Sequence, residues 1–320
     1  MDLHKVLLFL SERRLKREPA VLVTVCAVEG SSMRNPGTIM GVAEDGSFEG
    51  SLSGGCIENA VVAEALDTLK DGMPRIVRFG AGSPYLDIKL PCGGGLDLHF
   101  CPISSDDEIA AACLETIHSR RPFSIAVEPG GVLHKAGWET SRFEAASGTG
   151  VFGHWPAPQL QIIGHGAGVE ALARLGTLLG CSTRVLTSDE RIHDALRTHE
   201  IDVDILKRRT QTDVLVSDPW TAFVFLFHDH DWEIELMARA LELPHFYLGA
   251  MGGRKAHTMR CEALAARGVS QEKLKTIRAP IGVFHSSRDP DTLALSTLAQ
   301  VVKAYQDADF QTLCAELALG

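Results

Sequence analysis

The sequence predicts an α/β protein in which an N-terminal α+β domain is followed by a Rossmann-like, doubly wound parallel-sheet domain. In the second half, short apolar runs alternate with helical patterns, which is typical of a parallel sheet with crossover helices. The first half combines short strand-like runs and glycine turns without this alternation. Residues 155–158 have the composition of a linker, so we predict domains at residues 1–156 and 157–320.

The overall composition excludes several classes of protein. With 320 residues and 45% hydrophobic content, the chain can bury a substantial core. A net charge of −10 argues against nucleic-acid binding, which usually needs a basic face. No apolar run has the length of a membrane span, and no cleavage site follows the N-terminal apolar stretch, so a cytoplasmic location is expected. The eight cysteines lack a Cys-x-x-Cys pair and are expected to be reduced thiols.

The elements of the N-terminal domain follow from local patterns. An amphipathic helix is predicted at the N-terminus, and the apolar run at residues 20–28 is typical of a strand buried on both faces. The further predicted elements are strands at 38–42 and 47–49, a helix at 58–70 ended by Gly72, strands at 75–79 and 96–100, a helix at 106–120 and short strands to about 151.

A glycine-rich turn at residues 50–58 leads directly into the second of these helices. Cys56 would lie in the first helical turn, where unpaired N–H groups and the helix dipole favour a thiolate. The backbone of Ser53, Gly54 and Gly55 could approach an anion closely. The same residues also fit a purely structural turn in which Ser53 caps the helix and Cys56 is a small buried side chain.

Two other loops of this domain carry residues with chemical potential. Cys92 precedes Gly93–Gly95 at the start of a predicted strand, so a second cysteine lies among glycines. Arg34 lies in the irregular segment 29–37 and offers a planar fork of hydrogen-bond donors. Both loops suit a bound group that the backbone approaches closely, although tight structural turns use glycine for the same steric reason.

The second domain begins with a pattern close to the dinucleotide fingerprint. Gly164, Gly166 and Gly168 follow a predicted strand and open a helix. Val169 replaces the third fingerprint glycine, and Thr187 replaces the acid that normally binds the ribose. A Rossmann-like fold is therefore predicted, while NAD(P) binding, and with it an NAD(P)-dependent oxidoreductase, stays open as the alternative function.

Two further strand ends in this domain could bind ligands. The histidines of the run 228–231 could face a metal, but Asp231 would also serve as the N-cap of the next helix. Gly252 and Arg254 lie between a strand and a helix, which is typical both of an anion-binding turn and of an ordinary βα connection.

Together these motifs resemble the XdhC/CoxI family of xanthine dehydrogenase accessory proteins, over most of the chain. The motifs that carry the resemblance are residues 29–37, 50–58, 92–94, 228–230, 247–254, 278–282 and 294–296. The resemblance implies a cytoplasmic maturation factor that binds the molybdenum cofactor and supports its sulfuration by a cysteine desulfurase. It further implies delivery of the cofactor to the apo form of a molybdenum hydroxylase such as xanthine dehydrogenase. We expect a non-catalytic or weakly catalytic chaperone.

The resemblance also directs attention to particular residues. Cys56 and Cys92 are expected to face the molybdenum. The residues expected to bind a cofactor are Arg34, Ser53, Gly54, Gly55, Cys56, Glu58, Cys92, Gly164, Gly166, Gly168, Gly252 and Arg254. A homo-oligomer is expected, and a role as an adaptor that docks a hydroxylase and a desulfurase stays open.

Overall fold

The computed structural model describes residues 2–30, 34–55, 57–83, 93–227, 231–284 and 289–319. The chain divides into two compact units, Met1–Pro156 and Ala157–Gly320. The first unit has antiparallel sheets and the second a parallel sheet, so the predicted fold class is confirmed. None of the described helices is both long enough and apolar enough to cross a membrane.

The first unit contains two sheets and three helices within its described residues. In chain order, its elements are α1 (Asp2–Lys16), β1 (Ala20–Glu29), β2 (Ile39–Ala43), β3 (Phe48–Glu49), α2 (Glu58–Asp71), β4 (Arg75–Gly80), β5 (Gly95–Ile103), α3 (Ile109–His118), β6 (Phe123–Glu128), β7 (Gly131–Ala136), β8 (Arg142–Glu144) and β9 (Thr149–His154). As predicted, α2 ends at a glycine, since Gly72 adopts a left-handed conformation with φ 69°.

The larger sheet of this unit has the order β3-β2-β1-β5-β4 and is antiparallel throughout. Its central strand β1 is buried from Ala20 to Cys26, which confirms the strand predicted to be covered on both faces. Helix α2 covers one face through Val61 and Ala65, which share a core with Phe79 and Leu98. On the other face, α1 and α3 share a second core with the smaller sheet, whose order is β7-β6-β9-β8.

Buried His99 makes the stability of this core depend on pH. Its side chain is 1% exposed and lies opposite Thr24 in the pairing of β5 with β1. Burial lowers the pKa of His99 to about 4, against a weaker opposing effect of the Glu128 backbone. Between pH 6.5 and about 4 the unfolded chain therefore binds a proton that the folded chain does not. Stability is lost as the pH falls through this window, and below it both states are protonated.

We therefore expect the free energy of unfolding to fall by up to about 3 kcal/mol between pH 7 and pH 4 on account of His99. Urea unfolding over this range should show a clearly shallower decline for His99→Phe than for the wild type. His199→Gln, at an exposed histidine, is the matched control and should leave the profile unchanged. Parallel profiles for wild type and His99→Phe would contradict the assignment.

The second unit alternates strands and helices. In chain order, its elements are β10 (Gln159–Gly164), α4 (Ala167–Leu178), β11 (Ser182–Thr187), α5 (Glu190–Thr198), β12 (Asp202–Ile205), β13 (Thr221–Leu226), α6 (Glu233–Ala240), β14 (Tyr247–Ala250), α7 (Arg254–Ala265), α8 (Gln271–Thr276), α9 (Pro290–Asp307) and α10 (Phe310–Leu319). The sequence predicts strands at 159–163, 183–187, 223–227 and 245–248, and helices through Leu179 and at about 233–241, 254–267 and 291–305. Four of the observed elements go beyond this set, namely α5, β12, α8 and α10.

All five strands of this sheet are parallel, in the order β12-β11-β10-β13-β14. From β10 the chain adds β11 and β12 on one side, and it then adds β13 and β14 on the other side of β10. This reversal of strand order is typical of a doubly wound Rossmann-like fold. Strand β14 begins two residues later than predicted. Pro244 has no backbone N–H, and the ladder with β13 starts only where Tyr247 pairs with Ala222.

Candidate functional site

Three connections that carry predicted site residues leave the same end of the larger N-terminal sheet. Strand β1 ends at Glu29, which pairs with Gly95 at the start of β5, and Gly95 in turn pairs with Gly80 at the end of β4. Strand β2 begins at Ile39, which pairs with Thr24 in the middle of β1, and β3 runs back toward the same end of the sheet. The Arg34 loop, the turn after Glu49 and the segment before β5 therefore all lie toward this end of the sheet. We call this end of the sheet the motif edge.

Glycines let these connections approach each other closely. A Cβ atom on Gly30 would lie 3.3 Å from the Cα of Gly94, and one on Gly50 would lie 2.9 Å from the carbonyl oxygen of Ile39. Both glycines also have positive φ angles. By contrast, a Cβ on Gly55 would meet no atom of the described structure within 4 Å. Close packing thus explains Gly30 and Gly50, whereas backbone conformation explains Gly55, which has φ 108°.

Arg78 joins three strands at the motif edge. Its Nη1 atom lies 3.1 Å from both carboxylate oxygens of Asp97 on β5, and it also forms an ion pair with Glu29 on β1. Its Nε donates to the carbonyl oxygen of Ala81 at 2.7 Å. The role of Arg78 was not predicted from the sequence, because its partners Glu29 and Asp97 lie 49 and 19 positions away. Its role is to hold the ends of β1, β4 and β5 together.

The carboxylate of Glu58 lies at the centre of the glycine-rich turn. Its Oε1 accepts hydrogen bonds from the Ser51 hydroxyl at 2.9 Å, the Leu52 N–H at 3.1 Å and the Ser53 N–H at 3.0 Å. Its Oε2 accepts from the Ser53 hydroxyl at 2.7 Å and the Ile57 N–H at 3.2 Å. Glu58 is the first residue of α2 and is buried, with 6% of its surface exposed. The turn is folded around this side chain.

Glu58 is ionised in this environment. Burial alone would raise the pKa of its carboxyl, but hydrogen bonds from the Ser53 side chain and backbone, the Ser51 hydroxyl and the Gly55 backbone outweigh that effect. Together they lower the pKa of Glu58 to about 2. The motif edge therefore holds a buried negative charge of its own.

This arrangement changes the expected role of the turn. Of the backbone donors predicted to hold an external anion, the N–H of Ser53 bonds Glu58 and that of Gly54 bonds the Ser51 hydroxyl at 3.1 Å. The Gly55 backbone also donates toward Glu58. The interpretation of Ser53 as the helix cap is wrong, because the N-cap of α2 is Ile57; the Ser53 hydroxyl instead accepts from the N–H of Ile57 itself at 3.2 Å. The Glu58 carboxylate thus takes the place of the external anion that the turn was predicted to bind.

Several predicted residues lie outside the described part of the chain. Cys56 and Cys92 are among them, so their predicted contacts with molybdenum stay predictions, as does the histidine pair at 228 and 230. No group of three or more His, Cys, Asp or Glu within the described residues could hold a metal ion. Asp231 is not the N-cap of α6, which is Trp232; its carboxylate instead accepts from Arg209 at 2.8 Å.

Arg34 lines a polar cleft next to the motif edge. The cleft has a volume of about 380 Å³. Its lining residues are Leu3, Arg34, Pro36, Gly37, Thr38, Ile39, Gly153 and His154. We call it the Arg34 cleft. Because the carbonyl of Ile39 lies against Gly50, the cleft adjoins the start of the glycine-rich turn.

The glycine loop of the second unit is built as a tight βα turn. A Cβ on Gly164 would clash with the carbonyl oxygen of Leu226 on β13. Gly166 is the N-cap of α4 with φ 89°, and a Cβ on Gly168 would touch Leu293 at 3.3 Å. Val169, at the third fingerprint position, is fully buried. Close packing therefore explains Gly164 and backbone conformation explains Gly166.

The groups that would bind a ribose are already engaged. The Thr187 hydroxyl accepts from the Asp189 N–H at 3.1 Å. The Asp189 carboxylate caps α5 by accepting from the Arg191 N–H at 3.0 Å. The local structure thus uses both of these acceptors within the βα turn after β11.

Gly252 and Arg254 lie at the carboxyl end of β14. Gly252 has φ 121°, and Arg254 is exposed as the first residue of α7. The carbonyl of Met251 accepts a hydrogen bond from Arg260 Nη2 at 2.7 Å. Arg260 is buried and pairs with Glu233 of α6, so the turn is fixed from within the protein. This pair could not be predicted from local patterns, since its members lie 27 residues apart.

Comparison with known proteins identifies relatives of the whole chain. Residues 160–301 match the XdhC Rossmann domain, and residues 14–80 match the XdhC and CoxI family. The chain is 33% identical over 317 residues to the molybdenum cofactor insertion chaperone PaoD of Escherichia coli (strain K12), covering 96% of this chain and 91% of that protein. It is 21% identical over 297 residues to the uncharacterized protein YqeB of the same organism, covering 91% of this chain and 44% of YqeB.

A solved structure shows the same fold. A Bacillus halodurans protein described as a xanthine dehydrogenase superposes with a TM-score of 0.77 at 19% sequence identity, over 98% of this chain and all of that one. The two family matches and the full-length similarity to PaoD agree with the resemblance carried by the motifs. The chain therefore belongs to the XdhC and CoxI family.

Proposed function

We propose that the protein binds the molybdenum cofactor as cargo and inserts it into a molybdoenzyme, acting as a chaperone and not as a catalyst. The observation that carries this proposal is the convergence at the motif edge of the loops that bear the family motifs. The similarity to a molybdenum cofactor insertion chaperone over nearly the full chain supports it.

The residues at the motif edge suit this cargo chemically. Arg34 supplies a positive charge and a planar donor fork for an anionic group of the cofactor. Cys56 and Cys92 supply sulfur ligands, which match the soft molybdenum–sulfur centre. Glu58 shapes the turn that leads to Cys56, and Arg78 fixes the strand ends beside it. In this proposal the protein holds and orients the cofactor.

The finer parts of the proposal concern the partners. We infer that the client is the apo form of a molybdenum hydroxylase such as xanthine dehydrogenase, that a cysteine desulfurase supplies sulfur to the bound cofactor, and that the protein works in the cytoplasm as a homo-oligomer. These inferences rest on the family and on the nature of the cargo. Activation of a pure apo-hydroxylase by the loaded protein, with and without a desulfurase, tests them.

Cofactor retention tests the proposed site. The pure protein is incubated with isolated molybdenum cofactor and desalted, and bound molybdenum and the fluorescence of the oxidised pterin are measured. We expect the Cys56→Ala, Arg34→Ala double variant to retain at least about tenfold less of both than the wild type, because it loses a charge-assisted contact and a sulfur ligand.

The matched control changes the same residue types in the second unit. The Cys314→Ala, Arg174→Ala variant alters a partly exposed thiol and an exposed arginine. It should retain the cofactor like the wild type. Equal retention by the wild type and the Cys56→Ala, Arg34→Ala variant would overturn the site assignment.

A further inference from the structure

We propose that the Arg34 cleft is a phosphate subsite, in which Arg34 and His154 bind the terminal phosphate of the molybdenum cofactor. This inference rests on the proposed function and assigns one part of the cargo to one part of the surface. His154 enters the site from β9, the last strand of the smaller sheet, and belongs to none of the motifs that carry the family resemblance.

The first step is that the glycine-rich turn is a poor place for this phosphate. The carboxylate of Glu58 already accepts five hydrogen bonds from the turn. A second anion would have to displace this buried charge or be repelled by it. The Arg34 cleft adjoins the turn through Ile39 and has no acidic side chain among its described lining residues. A phosphate is therefore favoured in the cleft and not in the turn.

The second step is the state of His154. Its Nε2 atom is buried and has no hydrogen-bond partner within the described residues. A buried polar nitrogen without a partner destabilises the protein, and a ligand that supplies the partner offsets that cost. Arg34 lines the same cleft, so a charged guanidinium and an imidazole nitrogen, both suited to an anion, lie at one small site.

The third step is that the imidazole is held in place. Its ring lies 5.2 Å from the ring of Phe123, centroid to centroid. A Cβ on Gly37 would contact Phe152 at 2.9 Å and His154 at 3.6 Å, so the Arg34 loop packs directly against this strand. Burial lowers the pKa of His154 to about 4, so the ring is neutral at pH 7 and can donate one N–H. Packing against Phe123 and the Arg34 loop thus fixes the position of the ring.

The binding experiment separates phosphate from pterin recognition. Fluorescence polarisation measures the affinity for the air-oxidised pterin derivative of the cofactor, with its phosphate intact or removed by phosphatase. We expect the wild type to bind the phosphorylated form at least about tenfold more tightly, a difference typical of one charge-assisted contact. His154→Phe and Arg34→Gln should each reduce this preference to about threefold or less, with little change for the dephosphorylated form.

His134→Phe is the matched control. His134 also stacks on Phe123, at 5.6 Å, and its Nε2 already has a partner in the Thr116 hydroxyl at 3.0 Å. The same substitution there should leave the phosphate preference at the wild-type value. If His154→Phe does not fold, Arg34→Gln alone tests the subsite, because Arg34 is a loop residue outside the strands.

The outcomes distinguish this inference from the proposed function. Equal affinity of the wild type for both derivatives, or an unchanged preference in both variants, overturns the phosphate subsite. If the wild type nevertheless retains molybdenum cofactor, the chaperone proposal stands. If it binds neither derivative and retains no molybdenum, both proposals fall.

Discussion

Replacing Arg260 by methionine is expected to lower the free energy of unfolding of the second unit by about 3–5 kcal/mol, the cost of breaking a buried ion pair. Both side chains of the Arg260–Glu233 pair are fully buried, with Nε and Oε1 2.8 Å apart and Nη2 and Oε2 3.3 Å apart. Without Arg260, the Glu233 carboxylate loses the charge that compensates for its removal from water.

The same substitution should loosen the turn after β14. Arg260 also donates to the carbonyl oxygen of Met251, next to Gly252. It thereby ties α6, α7 and the turn that ends at Arg254 into one unit. We expect faster hydrogen exchange at residues 251–255 in the Arg260→Met variant, in addition to the lower midpoint of urea unfolding.

The chain offers a matched control for this prediction. Arg267 and Glu235 form an exposed ion pair at 2.6 Å, and Glu235 lies on α6 two positions from Glu233. Arg267→Met should cost no more than about 1 kcal/mol. The Arg260→Met, Glu233→Met double variant should recover most of the lost stability, because it removes the buried carboxylate as well. A double variant less stable than Arg260→Met alone would contradict this account.

The sequence was sufficient for the features that depend on local order along the chain. The alternation of β10, α4 and β11 predicts a parallel sheet because each helix must cross over it to start the next strand. The stop at Gly72 was predictable because a left-handed helix end favours glycine. The buried residues of α5, Ile192 and Leu196, follow helical spacing, but the helix has only nine residues, which is shorter than the window in which such a pattern can be recognised.

Contacts between residues that lie far apart in the chain could not be predicted from the sequence. Glycine-rich segments are ambiguous because close approach to a ligand and close approach to another loop require the same residue. Only the structure shows that Gly30 meets Gly94 and that Gly164 meets Leu226. His154 could not be predicted as a site residue either. It was identified by its buried nitrogen, which has no partner in the described structure, and by its position in the same cleft as Arg34.

Glu58 illustrates a further limit. An acidic residue in the first turn of a helix is common, since it interacts favourably with the helix dipole. Nothing in the order of residues says whether its side chain points to solvent, to a ligand or back into the preceding turn. The structure shows the last of these, and this distinction decides what the glycine-rich turn can bind.

Glu58→Ala is expected to unfold the glycine-rich turn locally and to lower the stability of the first unit by at least about 3 kcal/mol, because hydrogen bonds to a charged group contribute about 1.5–3 kcal/mol each. Cofactor retention should fall at least about tenfold, since the turn that carries Cys56 loses its fixed shape. Hydrogen exchange at residues 50–58, urea unfolding and molybdenum retention measure the three effects.

Two further variants separate charge from geometry. Glu58→Gln keeps one acceptor oxygen for the Ser51 and Ser53 donors but directs amide hydrogens toward the Ile57 N–H, so it should lie between the wild type and Glu58→Ala. Glu64→Ala, on the same helix, removes a carboxylate that pairs with Arg75 at 3.2 Å and lies outside the glycine-rich turn, so it should leave retention unchanged.

Glu58→Ala also separates two physical roles for the carboxylate. If Glu58 shapes the turn, its removal weakens both folding and cofactor binding, and the donors of Ser53 and Gly55 are left without a fixed arrangement. If Glu58 merely occupies a site that an anion could take, its removal frees those donors, and the cofactor or inorganic phosphate should bind more tightly. Tighter binding in Glu58→Ala would therefore move the anion from the Arg34 cleft to the turn. Weaker binding with faster exchange at residues 50–58 keeps Glu58 as the internal anion around which the turn folds.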